Sequence, residues 1–424
     1  MGKREAKIRI VHRFKYRGKF LYCEDVRVSD IAKRQGTPLF IYSKNTLLDH
    51  FGKIKNALRD LTPLICFSVK SNSNLSVLKT LVSAGAGLDI VSGGELFRAK
   101  VVKTPPERIV YAGVGKKRDE IMDAIRYGIF FFNIESVEEL ELIDRCAKEA
   151  GKKVNVAVRL NPDVAVSTHD YITTGKGGTK FGVDFKTAKS IFRASRRYGS
   201  SKLCGVHIHV GSQILKTDPF RSAIKKVLRF LKENEISVDY LNIGGGLGIV
   251  YSMERPQTAL GFARSIAPLM KSSNLKLILE PGRFISGNSG VMVTKVLFRK
   301  KAQGKKFIIV DSGMNDLIRP SLYEAYHHIL PATKPKSNSK REKYDVVGPI
   351  CESGDFIAKD RLLRAPHKGD LLVVMGAGAY GYTMSSNYNS RPRAAEVMVD
   401  GESFFVVKKR ETYRDLVRGE SIKV

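Results

Sequence analysis

Between residues 64 and 280, apolar runs of strand length alternate with amphipathic stretches. The runs are 64–69, 88–91, 109–112, 130–133, 155–160, 204–210, 240–243 and 276–280. Short continuous apolar runs predict buried strands, and apolar positions at helical spacing between them predict helices. Thr217–Glu233 is a clear helix, with Phe220, Ile224, Val227, Leu228 and Leu231 sharing one face. Eight strand–helix repeats are the count of a closed (β/α)₈ barrel, whose sites form at the C-terminal strand ends. Chemical residues recur there: Lys70, Asp89, Arg159 with Asn161, His209, Gly244-Gly245-Gly246 and Glu280. A doubly wound sheet would gather such groups at one switch point instead of around a ring.

The pattern differs on either side. Lys7–His12 and Phe20–Val26 read as short strands, Thr37–Tyr42 as another, and Lys44–Ala57 as a helix. Beyond residue 285 the strand-like runs Gly290–Phe298, Lys306–Val310, Asp370–Met375, Ala394–Val399 and Glu402–Val407 lack helical alternation. The expected organisation is therefore N-terminal strands at 1–35, an α/β barrel at 36–285 and a mainly β domain at 286–424, which the N-terminal strands join. Thr333–Lys343 and Lys176–Lys180 read as exposed or flexible loops.

Composition narrows the class. The chain of 424 residues, 43% hydrophobic and 27% charged, has the balance of a globular protein. No apolar run reaches the roughly 18 residues of a membrane helix. Met1–Ala6 lacks a signal region or myristoylation site, which predicts a cytoplasmic protein. Five cysteines, Cys23, Cys66, Cys146, Cys204 and Cys351, have no metal-ligand spacing, so reduced thiols and no metal are expected. A net charge of +31 would favour nucleic acid or anionic lipid. The excess is diffuse, however, with concentrations only at Arg299–Lys306 and Lys334–Lys343, and no nucleic-acid motif accompanies it. A nucleic-acid partner is not expected, and a general lysine bias explains the charge.

Lys70 ends the run Ile65-Cys66-Phe67-Ser68-Val69. A lysine leaving a buried strand often only snorkels, yet a desolvated amine is also what attack on an aldehyde requires. Three stretches could donate to a phosphate: the backbone N–H groups of Gly244–Gly246, the Ser212 hydroxyl after Gly211, and the Arg283 guanidinium after Gly282. Glu280 in Glu280-Pro281-Gly282-Arg283 can hold a pyridine nitrogen protonated or pair structurally with Arg283. His207 and His209 share a strand face. His209, nearer the C-terminal end, suits stacking on a flat cofactor, and His207 reads as a hydrogen-bonded core residue.

Together, Phe67–Asn72, Gly87–Leu96, His209-Val210-Gly211-Ser212-Gln213, Gly244–Gly246 and Glu280–Arg283 resemble the fold-type III pyridoxal-phosphate decarboxylases. The resemblance spans about residues 20 to 415 and is greatest to the diaminopimelate decarboxylases. It implies an alanine-racemase-like barrel with a β-sandwich domain, pyridoxal 5'-phosphate as cofactor, and conversion of meso-diaminopimelate to L-lysine, the last step of lysine biosynthesis. By this resemblance Lys70 is the Schiff-base lysine, His209 stacks on the ring and Glu280 faces its nitrogen. Asp89 also falls in the cofactor site, and Ser212, Gly244, Gly245, Gly246, Arg283 and Tyr380 fall around the phosphate. Cys351 of Cys351-Glu352-Ser353-Gly354-Asp355 is implied as the proton donor, acting in the partner subunit's site of a homodimer. Arg283, Arg319, Tyr323, Glu352 and Tyr380 are implied in binding the amino-acid substrate. Ser68, Ser71 and Asn242 depart from the family's usual residues. Ornithine, arginine and carboxynorspermidine decarboxylases share most motifs and remain alternatives, as does a binding paralogue without activity. Alanine racemases place an arginine opposite the ring nitrogen, where this chain has Glu280.

Overall fold

The computed structural model describes residues 12–164, 180–335 and 340–422. They form two compact units. One holds Leu48–Ile249 and Arg255–Ile285; the other holds the described residues through Leu47, the short piece Val250–Glu254, and those from Ser286 onward.

The first unit is a closed barrel of parallel strands, Leu64–Ser68, Gly87–Ile90, Ile109–Tyr111, Phe131–Ile134, Val154–Leu160, Ser201–Ile208, Tyr240–Asn242 and Lys276–Leu279. Each matches one expected run. The last strand pairs with the first through Ile278–Leu64 and Leu279–Ile65, which closes the ring. Cys66, Val110, Phe131, Ala157, Cys204 and Ile278 pack as a buried cluster inside it. Gly205 keeps this layer tight, because a Cβ there would lie 3.1 Å from both Ala157 and the Phe131 ring. Amphipathic helices cover the strands. Asp218–Glu233 buries Phe220, Ile224, Val227 and Leu231, as its spacing predicts.

The second unit is built on a nine-stranded sheet and a three-stranded sheet. Gly290–Ala302 is the long central strand, pairing with Lys305–Val310, Leu371–Val374 and Leu39–Ser43. Leu39–Ser43 in turn runs parallel to Ala395–Asp400. This corrects the expected barrel start at residue 36: the strand anticipated at 37–42 exists, but it belongs to this sheet, and the barrel unit begins after Leu47. A strand buried on both faces has no alternation to reveal its sheet. All five residues of Leu39–Ser43 are buried. The N-terminal strands Phe14–Arg17 and Phe20–Cys23 join this unit as anticipated: Phe14, Leu21 and Cys23 share a core with Ile41, Val293, Val373 and Val397.

Phe14–Arg17 was not foreseen, nor were three strands of the C-terminal half, Ile329–Pro331, Arg341–Val347 and Phe356–Arg364. The second of these three begins inside the stretch expected to be a basic loop. Its charged residues Arg341 and Lys343 are exposed while Tyr344 and Val346 are buried. The loop expected at Lys176–Lys180 lies, but for Lys180, outside the described residues, as does most of the strand expected at Lys7–His12.

Candidate active site

The barrel's strand ends gather their chemical side chains by register. Ser68 pairs with Asp89 across neighbouring strands, and the Ser68 hydroxyl donates to Asp89 Oδ2 at 2.7 Å. Lys70 Nζ lies 4.0 Å from the same carboxylate oxygen. Burial pushes the Asp89 carboxyl well up, and Glu280 adds to that shift while Lys70 and Ser68 oppose it. Asp89 Oδ1 is buried with no hydrogen-bond partner.

Glu280 is buried within a ring of donors. Asn133 Nδ2 and Asn242 Nδ2 donate to Oε1 at 3.1 and 2.6 Å, and His207 Nε2 lies 3.2 Å from Oε2. Burial works to raise this carboxyl. The opposing effects of His207, the Asn242 amide and Lys70 win and hold it at about 2. Glu280 is thus an anion in a dry site, because donors have replaced water around its oxygens. His207 is more than the core residue expected: it pairs with Asn242 across the strands and faces the carboxylate.

The glycine turn follows the Tyr240–Asn242 strand. A Cβ on Gly245 would stand 2.2 Å from the Glu280 carbonyl oxygen, and one on Gly246 2.3 Å from that of Gly211. Only glycine lets these strand ends close up and present bare backbone N–H groups. The Gly245 N–H donates to His209 Nδ1 at 3.3 Å, so the His209 proton is on Nε2. Burial, with Lys70 and Arg159 near, pushes the His209 imidazole well below its usual range and keeps it neutral. Arg283 Nη2 donates to Ser212 Oγ at 2.9 Å. An amine, a buried anion and a glycine cradle flanked by a hydroxyl and a guanidinium fit an aldehyde, a pyridine nitrogen and a phosphate. Those are the three handles of pyridoxal phosphate.

The remaining candidates belong to the sheet unit. Arg319, in the short helix Arg319–Tyr323, is buried and lies over the Tyr251 ring at 4.7 Å. His327 Nδ1 is 2.8 Å from the Met375 carbonyl and must donate there, so its Nε2 accepts from Arg319 Nη1 at 2.9 Å. The guanidinium is therefore positioned before any substrate arrives. Cys351 and Glu352 sit exposed on a turn. Its geometry is set by Asp355, whose two oxygens accept from Ile350 N–H at 2.7 Å and Met314 N–H at 2.6 Å. Ser321 Oγ donates to the Gly354 carbonyl at 2.6 Å, tying the Arg319 helix to the same turn. The Cys351 N–H donates to Asn389 Oδ1 at 2.8 Å. Tyr380 takes a left-handed φ of 56°.

Comparison with known proteins agrees with this chemistry. The pyridoxal-binding domain of the pyridoxal-dependent decarboxylases matches residues 44–287. A diaminopimelate decarboxylase of Aquifex aeolicus is 47% identical over 95% of this chain and 96% of its own. The chain belongs to the diaminopimelate decarboxylase family. Two crystal structures of diaminopimelate decarboxylases, both in complex with L-lysine, superpose closely. The Helicobacter pylori enzyme has a TM-score of 0.88 at 38% identity, covering 92% of this chain and 98% of that one. The M. jannaschii enzyme has a TM-score of 0.91 at 34% identity, covering 97% and 98%.

Membership in this family implies pyridoxal phosphate as the cofactor, and the residues at the barrel strand ends suit it. Reading the sequence missed Asn133 and the roles of Asn242 and His207 around Glu280. It also missed His327 behind Arg319 and Asp355 behind Cys351. Asn133 ends the run 130–133, so a polar residue closing an apolar run was the available signal. Nothing local pointed to His327. Among the described residues, no group of three or more His, Cys, Asp or Glu could hold a metal ion, and no helix is long and apolar enough to cross a membrane.

Proposed function

We propose that this chain converts meso-2,6-diaminopimelate to L-lysine and carbon dioxide, using pyridoxal 5'-phosphate held at the C-terminal strand ends of the barrel. The observation that carries this reading is Glu280, a buried carboxylate kept ionised by two amide donors, with the His207 imidazole 3.2 Å away. Such a group holds a proton on the ring nitrogen. With that proton in place, bound pyridoxal phosphate acts as the electron sink for the pair left on the α-carbon when carbon dioxide departs.

The other residues divide the remaining work. Lys70 supplies the amine that links to the aldehyde, with Asp89 beside it. His209, neutral, offers its flat face to the ring. The glycine turn, Ser212, Arg283 and Tyr380 take the phosphate. Arg319 with Tyr323 receives the carboxylate that is not lost, with Arg283 contributing, and Glu352 pairs with the ammonium beside it. Cys351 returns a proton to the α-carbon. Its exposure in the single chain suits a group that acts across the interface of a homodimer. We place the protein in the cytoplasm, where its five unpaired thiols would stay reduced.

Kinetics on meso-diaminopimelate, ornithine and carboxynorspermidine, with lysine and carbon dioxide measured together, test the assignment. A site that leaves buried charges unpaired against the wrong substrate discriminates by roughly 10⁴-fold. Comparable turnover of ornithine would overturn the substrate and leave the cofactor chemistry standing.

A further inference from the structure

Much of the turn that carries Cys351 is held by its own bonds. The Glu352 N–H donates to the Ile350 carbonyl at 2.8 Å, the Asp355 N–H to the Glu352 carbonyl at 3.0 Å, and the Ile350 N–H to the Asp355 carboxylate at 2.7 Å. The Cys351 N–H instead finds its partner on another segment, Asn389 Oδ1 at 2.8 Å. A backbone N–H can only donate, so the oxygen of the Asn389 amide faces Cys351, and not its nitrogen. Asn389 takes a left-handed φ of 55°, and Ser390 after it one of 53°. Asparagine tolerates that backbone better than most residues, but two such residues in succession are uncommon. The chain keeps a strained conformation here, and it delivers an acceptor to Cys351.

Both segments stand on one loop, residues 311–316. The Met314 N–H donates to Asp355 Oδ1 at 2.6 Å, which anchors the turn. The Asn315 carbonyl accepts the Ser386 N–H at 2.9 Å, and the Asp311 carbonyl accepts Arg391 Nη2 at 3.2 Å, which anchors both ends of the stretch around Asn389. Asn387 Nδ2 braces that stretch, donating to the Arg391 carbonyl at 3.1 Å and to Glu411 Oε2 at 2.6 Å. The bond from Cys351 to Asn389 therefore closes a circuit of loop, turn and stretch, all within the sheet unit.

We propose that Asn389 is a positioning residue for Cys351, setting the direction in which the thiol presents its proton. The inference rests on the role proposed above for Cys351. Cys351 is exposed in the chain, so water can satisfy its N–H when the Asn389 side chain is gone. Water does not fix where that N–H points. Rotation of the peptide before Cys351 swings its Cα–Cβ bond and moves the sulfur, and a proton donor must stand within hydrogen-bond reach of the atom it protonates. Asn389 thus acts on the rate of proton return, and not on cofactor binding.

The test compares Asn389→Gly, Asn389→Asp and Cys351→Ala with the wild type, all loaded with pyridoxal phosphate. Glycine accepts the left-handed backbone but removes the acceptor. Aspartate keeps the acceptor, and its charge favours the protonated thiol. Asn389→Gly is expected to lower kcat on meso-diaminopimelate by about tenfold with KM little changed, and to raise the solvent deuterium isotope effect on kcat as proton return becomes limiting. Asn389→Asp should recover kcat to within about threefold of the wild type. A further measurement needs no turnover. Hydrogen exchange in the peptide covering residues 350–355, followed without substrate, should quicken in Asn389→Gly and not in Asn389→Asp. If Asn389→Gly does not fold, Asn389→Ser carries both measurements, because Ser390 already takes this backbone and a serine hydroxyl is one bond shorter than the amide oxygen. Wild-type kcat and exchange in the variant used, or equal losses in it and in Asn389→Asp, would overturn the proposal for Asn389. A silent Cys351→Ala would instead overturn the role of Cys351 itself, so the two failures are distinguishable.

Discussion

Glu280 ends a barrel strand and Asp316 sits in a loop of the sheet unit, and these two buried carboxyls have opposite fates. Glu280 is held at about 2 by two amides, an imidazole and a nearby lysine. Asp316, also buried, accepts the Gly313 N–H at 3.0 Å and is pushed up to about 7, burial outweighing that bond. Burial alone therefore does not decide the charge of a carboxyl; the donors aimed at it do. The difference extends to the regions around them. The barrel orders its groups by strand register, around a charge that must persist. The sheet unit orders its groups by side chains that grip loop backbone, as Asp355 grips Ile350 and Met314. With the roles proposed above, most cofactor contacts would come from the barrel and most substrate contacts from the sheet unit, Tyr380 and Arg283 being the exceptions.

The most severe way to break that division is Lys70→Ala. Activity should fall below detection while the fold persists, and borohydride should no longer fix pyridoxal phosphate to the chain. Retained borohydride labelling at another lysine would remove Lys70 from its role. Cys351→Ala should come next, with a loss of roughly 10²- to 10⁴-fold if it supplies the proton. If the proposed homodimer shares its sites, mixing it with Lys70→Ala should restore part of the activity, because a mixed dimer would hold one site with both groups. No recovery, once subunit exchange is demonstrated, would argue that each site is built from one chain.

A finer test is Arg319→Ala. Losing a charged hydrogen bond of about 3 kcal/mol should lower kcat/KM for diaminopimelate by roughly 10²-fold. The absorption of bound cofactor should not change. A changed spectrum would mean that the sheet unit also sets the electronics of the ring, which would blur the comparison.

The smallest effect is on stability. Asp316 has a folded pKa of about 7, raised above its ordinary value of 3.8. The folded state then binds the extra proton between these values, so stability is full at low pH and is lost as pH rises towards 7. The loss should be roughly 2–4 kcal/mol at most. Asp316→Asn should flatten that slope in urea melts between pH 4 and 8. Glu280 has the opposite sign: its contribution is present above the ordinary carboxyl range and is lost only as pH falls towards 2. A slope that is unchanged by Asp316→Asn would assign it to another group.

How legible each region was follows from the same contrast. All eight barrel strands were visible as apolar runs, because a strand buried on both faces writes its length directly into the sequence. Lys70, His209 and Glu280 stood out because a polar residue at the end of such a run is conspicuous. Arg341–Val347 was obscured because its first residues are exposed and charged, although its middle is buried. His327 and Asp355 were illegible because their partners, Arg319 with Met375 and Met314 with Ile350, become neighbours only through the tertiary fold. Asn242 was noticed as a departure, but its bond to Glu280 required the pairing of its own strand with the next.

Leu39–Ser43 has a consequence for the order in which the protein is made. All five residues of this apolar strand end up buried, between Gly290–Ala302 and Ala395–Asp400. A ribosome reaches the second of those partners about 350 residues later, a delay of roughly 20–70 s at ordinary elongation rates. The barrel strands, Leu64 through Leu279, all emerge within that interval and can close among themselves. Until Gly290–Ala302 emerges, Leu39–Ser43 presents open backbone on both edges, and until Ala395–Asp400 follows it lacks one partner, the condition in which strands recruit foreign chains. A nascent-chain chaperone should therefore crosslink most strongly near residue 40, and release there should coincide with translation of the last strands.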